Sequence, residues 1–248
     1  MRILDGKVAI VTGSTRGIGR AEAIALAKEG AAVAIIANEE TSHAVAEIES
    51  MGARAIGIYC DVRRSEDVQN AVDQTVKAFG GVDILVNNAQ KISSPHPMEE
   101  WTVEEMTEHW ESGPLGTWLF MKACFPHLKK EGGSIINTCS GVSYGYLFGY
   151  TGYAATKEAI RSLTRQASKE WGDYNIRVNV IAPAALTPGA TTNMDEALEK
   201  KILSTKAIKR WGDAEKDVGR VVVFLAGPDS TYMTGNTIAV NGGFGLLV

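Results

Sequence analysis

Tyr153 and Lys157 stand four residues apart in the run Tyr153-Ala154-Ala155-Thr156-Lys157, at the head of a segment that reads as a helix through Glu158, Ala159, Ile160 and Leu163. Side chains at i and i+4 share a helix face, so a phenol and an ammonium are held side by side. A free tyrosine, with a pKa of about 10, is a poor acid or base at neutral pH. An ammonium about 4 Å away, at an effective dielectric of about 20, is worth about 4 kcal/mol. At about 1.4 kcal/mol per unit, that would bring the phenol to roughly pH 7. A general acid–base works best there. Taken alone, the pair also fits an ordinary tyrosine and lysine on a solvated helix. The rest of the chain favours the chemical reading.

A second constellation opens the chain. An apolar run enters Thr12-Gly13-Ser14-Thr15-Arg16-Gly17-Ile18-Gly19, and a helical pattern follows. Glycines at G-x-x-x-G-x-G let the backbone turn sharply and let a pyrophosphate approach closely. The helix N-terminus then faces the phosphates with free N–H groups and a partial positive charge. Glycine also serves plain turns, but in this strand–turn–helix context the segment predicts dinucleotide binding by Gly13, Ser14, Arg16, Gly17, Ile18 and Gly19. Asp61, after Cys60 and before Val62, could accept the adenine amino group or cap the helix beginning near Ser65. Asn87-Asn88-Ala89-Gln90 ends another strand, with asparagines that tolerate tight turns and both donate and accept.

The end of the second strand bears on NAD against NADP. A carboxylate there would bind the ribose 2′-OH and repel a 2′-phosphate. The position holds Ala37, followed by Asn38, with no carboxylate before Glu39. Arg16 in the glycine turn can reach the same corner. Together they favour NADP(H) over NAD(H), although Asn38 could also serve a 2′-OH.

These groups need a scaffold, and the hydrophobic pattern supplies one. Strands are predicted over Lys7–Thr12, Ala32–Ala37, Arg54–Cys60, Val82–Val86, Ser134–Thr138, Arg177–Ile181 and Thr237–Val240. Helices are predicted over Ile18–Lys28, Thr41–Met51, Ser65–Phe79, Glu99–Glu111, Pro114–Lys130, Tyr153–Trp171 and Asp213–Leu225. Val33-Ala34-Ile35-Ile36 and Ile84-Leu85-Val86 are apolar on both faces, as in a parallel sheet covered on both sides. Strict β/α alternation gives an α/β, doubly wound parallel sheet of about seven strands. Such sheets bind ligands beyond the carboxyl ends of their strands.

The 248 residues are 45% hydrophobic and 22% charged, enough for one large α/β domain spanning 1–248, and no linker or repeat divides them. A net charge of −4 without a basic stripe argues against nucleic acid. No signal peptide is visible and no apolar run reaches membrane-spanning length. Cys60, Cys124 and Cys139 are odd in number and widely spaced, as buried reduced thiols of a cytoplasmic protein would be. His43, His96, His109 and His127 show no metal-ligand spacing and read as surface or loop residues, so no metal is expected.

Taken together, Thr12–Gly19, Asp61-Val62, Asn87-Asn88-Ala89, Ser140, Tyr153 with Lys157, Arg177-Val178-Asn179 and Asn241-Gly242-Gly243 make the chain resemble the short-chain dehydrogenase/reductase family. It is similar to the short type with a Rossmann fold, such as 3-oxoacyl-carrier-protein reductases and hydroxysteroid dehydrogenases. The resemblance runs from about Gly6 to Gly243. It implies that Tyr153 is the general acid for ketone reduction and the base for alcohol oxidation. It also implies that Lys157 lowers the phenol's pKa and binds the nicotinamide ribose, and that Ser140 orients the substrate oxygen. The nicotinamide cofactor would contact Ala37, Asn38, Asp61, Val62, Asn88 and Ala89. Ser140 and Tyr153 would stabilise a developing alkoxide by hydrogen bonds.

Three positions depart from the family pattern. An Asn that normally holds a relay water falls at Gly113, before Pro114, and neither residue carries an amide. The relay then runs through other groups, such as Ser112 or bulk water, or is impaired. Gln90 replaces the usual glycine after Asn-Asn-Ala. Pro183-Ala184 replaces Pro-Gly, and the loop carrying Pro183, Leu186 and Thr187 is expected at the carboxamide.

On the substrate side, Ala185–Ile208 (within about 185–210) falls where the family places a mobile lid, with Thr191, Thr192, Met194 and the charged run Asp195–Lys201. Gly141–Thr151 carries Tyr144, Tyr146, Leu147, Phe148 and Tyr150, either as an apolar wall or as packing against another subunit. Gln90 and Tyr146 are the candidate substrate contacts. Trp101, Trp110 and Trp118 read as core or interface. A hydrophobic, cyclic or steroid-like secondary alcohol or ketone fits best, in a homotetramer or homodimer. Two other readings remain: a nucleotide-binding sensor or partner subunit with weak catalysis, and a non-redox lyase, epimerase or dehalogenase on the same scaffold.

Overall fold

The strands that the sequence leaves apolar on both faces form one sheet, and it is parallel throughout. In a computed structural model, which describes residues 2–187 and 196–244, the strands are β1 (Val8–Thr12), β2 (Ala32–Ala37), β3 (Ala55–Tyr59), β4 (Ile84–Asn87), β5 (Gly133–Thr138), β6 (Ile176–Pro183) and β7 (Thr237–Val240). Their order is β3-β2-β1-β4-β5-β6-β7. The register pairs Val8 with Ala32, Ile10 with Leu85, Ile135 with Val178 and Val180 with Thr237. The chain reverses direction across the sheet between β1 and β4, so a crevice opens beyond their carboxyl ends. This is the Rossmann arrangement expected.

Helices α1 (Gly17–Lys28), α2 (Ser42–Ser50), α3 (Ser65–Phe79), α4 (Val103–Trp110), α5 (Gly116–Leu128), α6 (Thr151–Glu170), α7 (Glu196–Thr205) and α8 (Arg220–Ala226) surround the sheet. One core layer joins α1 and α8 to Val11, Val33, Val86, Ile136 and Ile181. The other joins α3 and α5 to Ile10, Ile36, Leu85, Ile135 and Val178. No described helix is long and apolar enough to cross a membrane.

The break expected at Gly113-Pro114 does not occur. A capping box between Thr102 and Glu105 starts α4, and the helix runs through a π-helical turn at Glu111–Leu115 straight into α5. Pro114 has no N–H to give the preceding turn, and the widened turn absorbs the omission. Gly113 is not among the glycines with positive φ. The segment's start also differs: Met98–Glu100 is a 3-10 turn rather than the first turn of the helix. A second π-helical turn, Ala214–Gly219, opens α8, with Asp213 accepting from the N–H groups of Glu215 and Lys216.

Candidate active site

The glycine turn is held against the end of β4. The Asn88 amide donates to the carbonyls of Thr12 (3.0 Å) and Gly13 (3.2 Å), and the N–H groups of Asn88 and Ala89 donate to Thr12 Oγ1. Gly13 and Gly17 take φ of +63° and +59°, which a side chain would resist. A Cβ on Gly19 would overlap the Gly13 carbonyl and the Asn88 amide. Helix α1 begins without a side-chain cap and without an acidic residue in its first turn. Its N–H groups are thus left for an anion, and the backbone leaves room for one to come close. A dinucleotide fits these features.

From this turn a cleft of about 660 Å³ runs along the carboxyl ends of the strands. It is lined by Gly13, Arg16, Ile18, Ala37, Asn38, Asp61, Val62, Asn88, Ala89, Gln90, Ser140, Tyr153, Lys157, Pro183 and Thr187, among others. Most of the residues singled out in the sequence therefore share one space. Ser14 does not face it: the hydroxyl donates to the Val11 carbonyl and accepts the Ile36 N–H, so it ties the turn to β1 and β2. Leu186 and Tyr146 are exposed and are not among the lining residues. Thr191, Thr192 and Met194 lie outside the described residues.

Asp61 is not a helix cap. Its carboxylate takes both the backbone N–H and the guanidinium of Arg63, and the N-cap position of α3 is Arg64, with no side-chain cap. The Arg63 bonds hold the carboxyl below its usual range. Glu39 was given no role by the sequence, yet it lines the cleft, takes the Thr15 hydroxyl and pairs with Arg16 at 3.6 Å. Its place two residues past the acid position was the available signal. The histidines are not all at the surface: His109 is buried on α4, with Nδ1 on the Glu105 carbonyl and Nε2 taking the Ser93 N–H. Among the described residues no cluster could hold a metal. The three cysteines are free and buried.

At the far end of the cleft, Lys157 is 2% exposed, and its Nζ donates to the Thr138 carbonyl at 2.7 Å. It stands 5.5 Å from the centroid of the Tyr153 ring. Ser140 caps a 3-10 turn, with Oγ accepting from Val142 N–H at 3.4 Å. The phenol pKa departs from expectation. Burial pushes Tyr153 up, and its hydrogen bond to Ser140 pulls it partly back. Lys157 is itself pushed down to about 8 by burial, with opposing pulls from Cys139 and Glu22. Desolvation of the phenolate outweighs the Ser140 bond.

A family model described as enoyl-(acyl carrier protein) reductase matches residues 13–245. The chain belongs to the short-chain dehydrogenase/reductase family. It is 39% identical over 257 residues to a 12α-hydroxysteroid dehydrogenase of Clostridium sp., covering 99% of each protein. It is 36% identical to a 7α-hydroxysteroid dehydrogenase of Clostridium sardiniense, covering 99% of this chain and 96% of that protein. Among solved structures, a 7α-hydroxysteroid dehydrogenase complexed with NADH and 7-oxo glycochenodeoxycholic acid superposes with a TM-score of 0.93 at 31% identity, over 98% of this chain and 95% of that one. As a member of this family, the protein is a nicotinamide-dependent oxidoreductase acting on secondary alcohols and ketones.

Proposed function

We propose that this short-chain dehydrogenase/reductase interconverts a hydrophobic, steroid-like secondary alcohol and its ketone with NADP(H), using Ser140, Tyr153 and Lys157. The observation that carries the reading is the convergence of those three residues in one cleft with the glycine turn and the uncapped start of α1. When bound, the cofactor supplies or accepts the hydride. Tyr153 gives its phenolic proton to the ketone oxygen as negative charge develops there, and takes it back in alcohol oxidation. Ser140 donates a hydrogen bond to the same oxygen. Lys157, anchored on the Thr138 carbonyl, presents its remaining N–H groups to the cofactor's ribose side of the cleft.

The steroid-like preference rests on the hydroxysteroid-oxidising relatives and on the aromatic run around Tyr144, Tyr150 and Tyr153, with residues 185–210 as a lid. Assembly into a dimer or tetramer is supported by exposed Trp110 and Trp118 on α4 and α5. A cytoplasmic location is supported by the three free thiols.

For NADP(H), Arg16 must leave Glu39 for a 2′-phosphate, and its side chain is exposed enough to do so. Glu39 in that corner favours a second reading, NAD(H), because its carboxylate would repel the phosphate and suit a free 2′-OH. A panel of steroid ketones and alcohols, run with both cofactors while following the near-ultraviolet absorbance of the reduced nicotinamide, tests both points. Turnover on none of the panel would sink the substrate class. Faster turnover with NADH would sink the cofactor preference.

A further inference from the structure

The amide of Gln90 occupies the space left open by Gly113. A Cβ built on Gly113 would stand 2.9 Å from Gln90 Cδ and Nε2 and 3.0 Å from Oε1, closer than side chains tolerate. Gln90 Nε2 donates to Thr156 Oγ1 at 2.7 Å. The orientation of that amide follows from its partner. The Thr156 hydroxyl gives its proton to the Tyr153 carbonyl at 2.9 Å, so Oγ1 can only accept, and the atom facing it must be an N–H. Gln90 Oε1 is then a buried acceptor with no hydrogen-bond partner among the described residues. Buried acceptors of this kind are satisfied by ordered water.

Lys157, Gln90, Thr138 and Ser112 all line the one cleft. An ammonium has three protons, and Lys157 gives one to Thr138. Ser112 is already committed, donating to the Glu108 carbonyl at 2.7 Å and accepting the Lys91 N–H at 3.1 Å.

We propose that Gln90 is a positioning residue of the reaction, whose Oε1 holds the water that passes protons between Lys157 and solvent. The inference rests on the reading of Tyr153 and Lys157 given above. In it the water accepts from Lys157 Nζ–H, is held by one hydrogen bond donated to Gln90 Oε1, and gives its other proton to solvent in the cleft. Protons shift along N–H and O–H bonds, and no bond between heavy atoms forms or breaks. The two departures at positions 90 and 113 are thus one exchange: the amide has moved from the helix to the loop after β4, and glycine has moved the other way.

The test is that exchange, with Gln90→Met, Gln90→Gly, Gly113→Asn and the double variant Gln90→Gly/Gly113→Asn, read by kcat against pH, KM and melting temperature. Gln90→Met keeps the bulk and loses the acceptor. It should lower kcat roughly tenfold, as loss of a single well-placed hydrogen bond does, and displace the pH profile. KM should hold, and the melting temperature should fall only by the lost bond to Thr156. Gly113→Asn alone should melt lower, because its side chain meets Gln90, and the double variant should recover both stability and turnover. The proposal is overturned by wild-type kcat and pH profile in Gln90→Met, or by a double variant whose losses merely add. Tyr153→Phe separates the two failures. If it abolishes turnover while Gln90→Met is silent, this inference alone fails. If Tyr153→Phe is also silent, the underlying reading fails as well.

Discussion

Lys157 Nζ donates to the backbone carbonyl of Thr138 at 2.7 Å, so the buried ammonium is pinned to the last residue of β5. Burial, against the opposing pulls of Cys139 and Glu22, pushes Lys157 down to about 8, and this bond keeps the side chain in one place. Two kinetic consequences follow for the pair it forms with Tyr153.

Tyr153→Phe removes the dissociable proton and little else. We expect kcat to fall at least about 10²-fold, the typical worth of a positioned acid–base, with NADP(H) affinity nearly unchanged. Steady-state kinetics and fluorescence titration read the two separately. Near-normal turnover would refute the assignment. Lys157→Ala should harm both quantities, since the lysine serves proton transfer and the cofactor.

The pH dependence has a defined sign. Lys157 loses its positive charge as pH rises through about 8. If the cation is the active form, kcat for ketone reduction falls across that range, and Lys157→Arg, which stays charged, removes the limb. A wild-type profile flat from pH 7 to about 9 would remove Lys157 from the rate-determining proton step.

Much of this was legible in the sequence, because apolar runs and glycine spacing act locally. The strands were legible to within a few residues, since strands buried on both faces cannot disguise themselves. The gathering of Gly13, Asn88, Ser140, Tyr153 and Lys157 was legible because strand ends must meet at the crevice. The behaviour of Gly113-Pro114 was not. Local rules predict a break after a Gly-Pro pair, whereas Gln90, from a different segment, fills the gap and a π-helical turn carries the chain through. His109 looked like a surface residue because polarity suggests exposure. One of its partners, the Glu105 carbonyl, is local, but the Ser93 N–H comes from a separate loop that only tertiary packing brings to it. Nor was the raised pKa of the Tyr153 phenol legible, because it comes from desolvation, which sequence does not display.

Gly19 is the tightest point of the phosphate turn. Gly19→Ala should lose cofactor affinity and cost about 1–3 kcal/mol of stability, since the new methyl meets the Gly13 carbonyl and the Asn88 amide. Calorimetric titration with NADP(H) and a melting curve check it. Wild-type values in both would mean that the turn relaxes freely.

At the cofactor corner, Glu39→Gln should tighten NADPH binding and leave NADH nearly as before, because it removes a carboxylate beside the 2′ position and frees Arg16. Arg16→Ala should weaken NADPH alone. Dissociation constants at moderate salt for both cofactors decide the matter. Equal shifts for the two would show that neither residue reads the 2′ group.

Glu22 carries the last prediction. It sits on α1, fully buried, and neither carboxyl oxygen has a hydrogen-bond partner among the described residues. Burial pushes its pKa up to about 8, against the pull of the Lys157 charge. In the unfolded chain a glutamate titrates near 4.3. The folded state therefore holds Glu22 protonated at neutral pH, while the unfolded state ionises it. A group whose folded pKa is raised contributes stability that is complete below its unfolded pKa and is lost as pH rises toward its folded pKa. For Glu22 that window runs from about pH 4.5 to about pH 8. At its upper end the loss is on the order of a few kcal/mol. Glu22→Gln keeps the shape and cannot ionise. Melting temperatures of the two proteins should therefore converge near pH 5 and separate steadily toward pH 8, with the variant the more stable. Lys157 titrates near the top of this window and interacts with Glu22, so there the difference between the curves reports the pair. Parallel curves across the range would show that the carboxyl does not change its ionisation on folding.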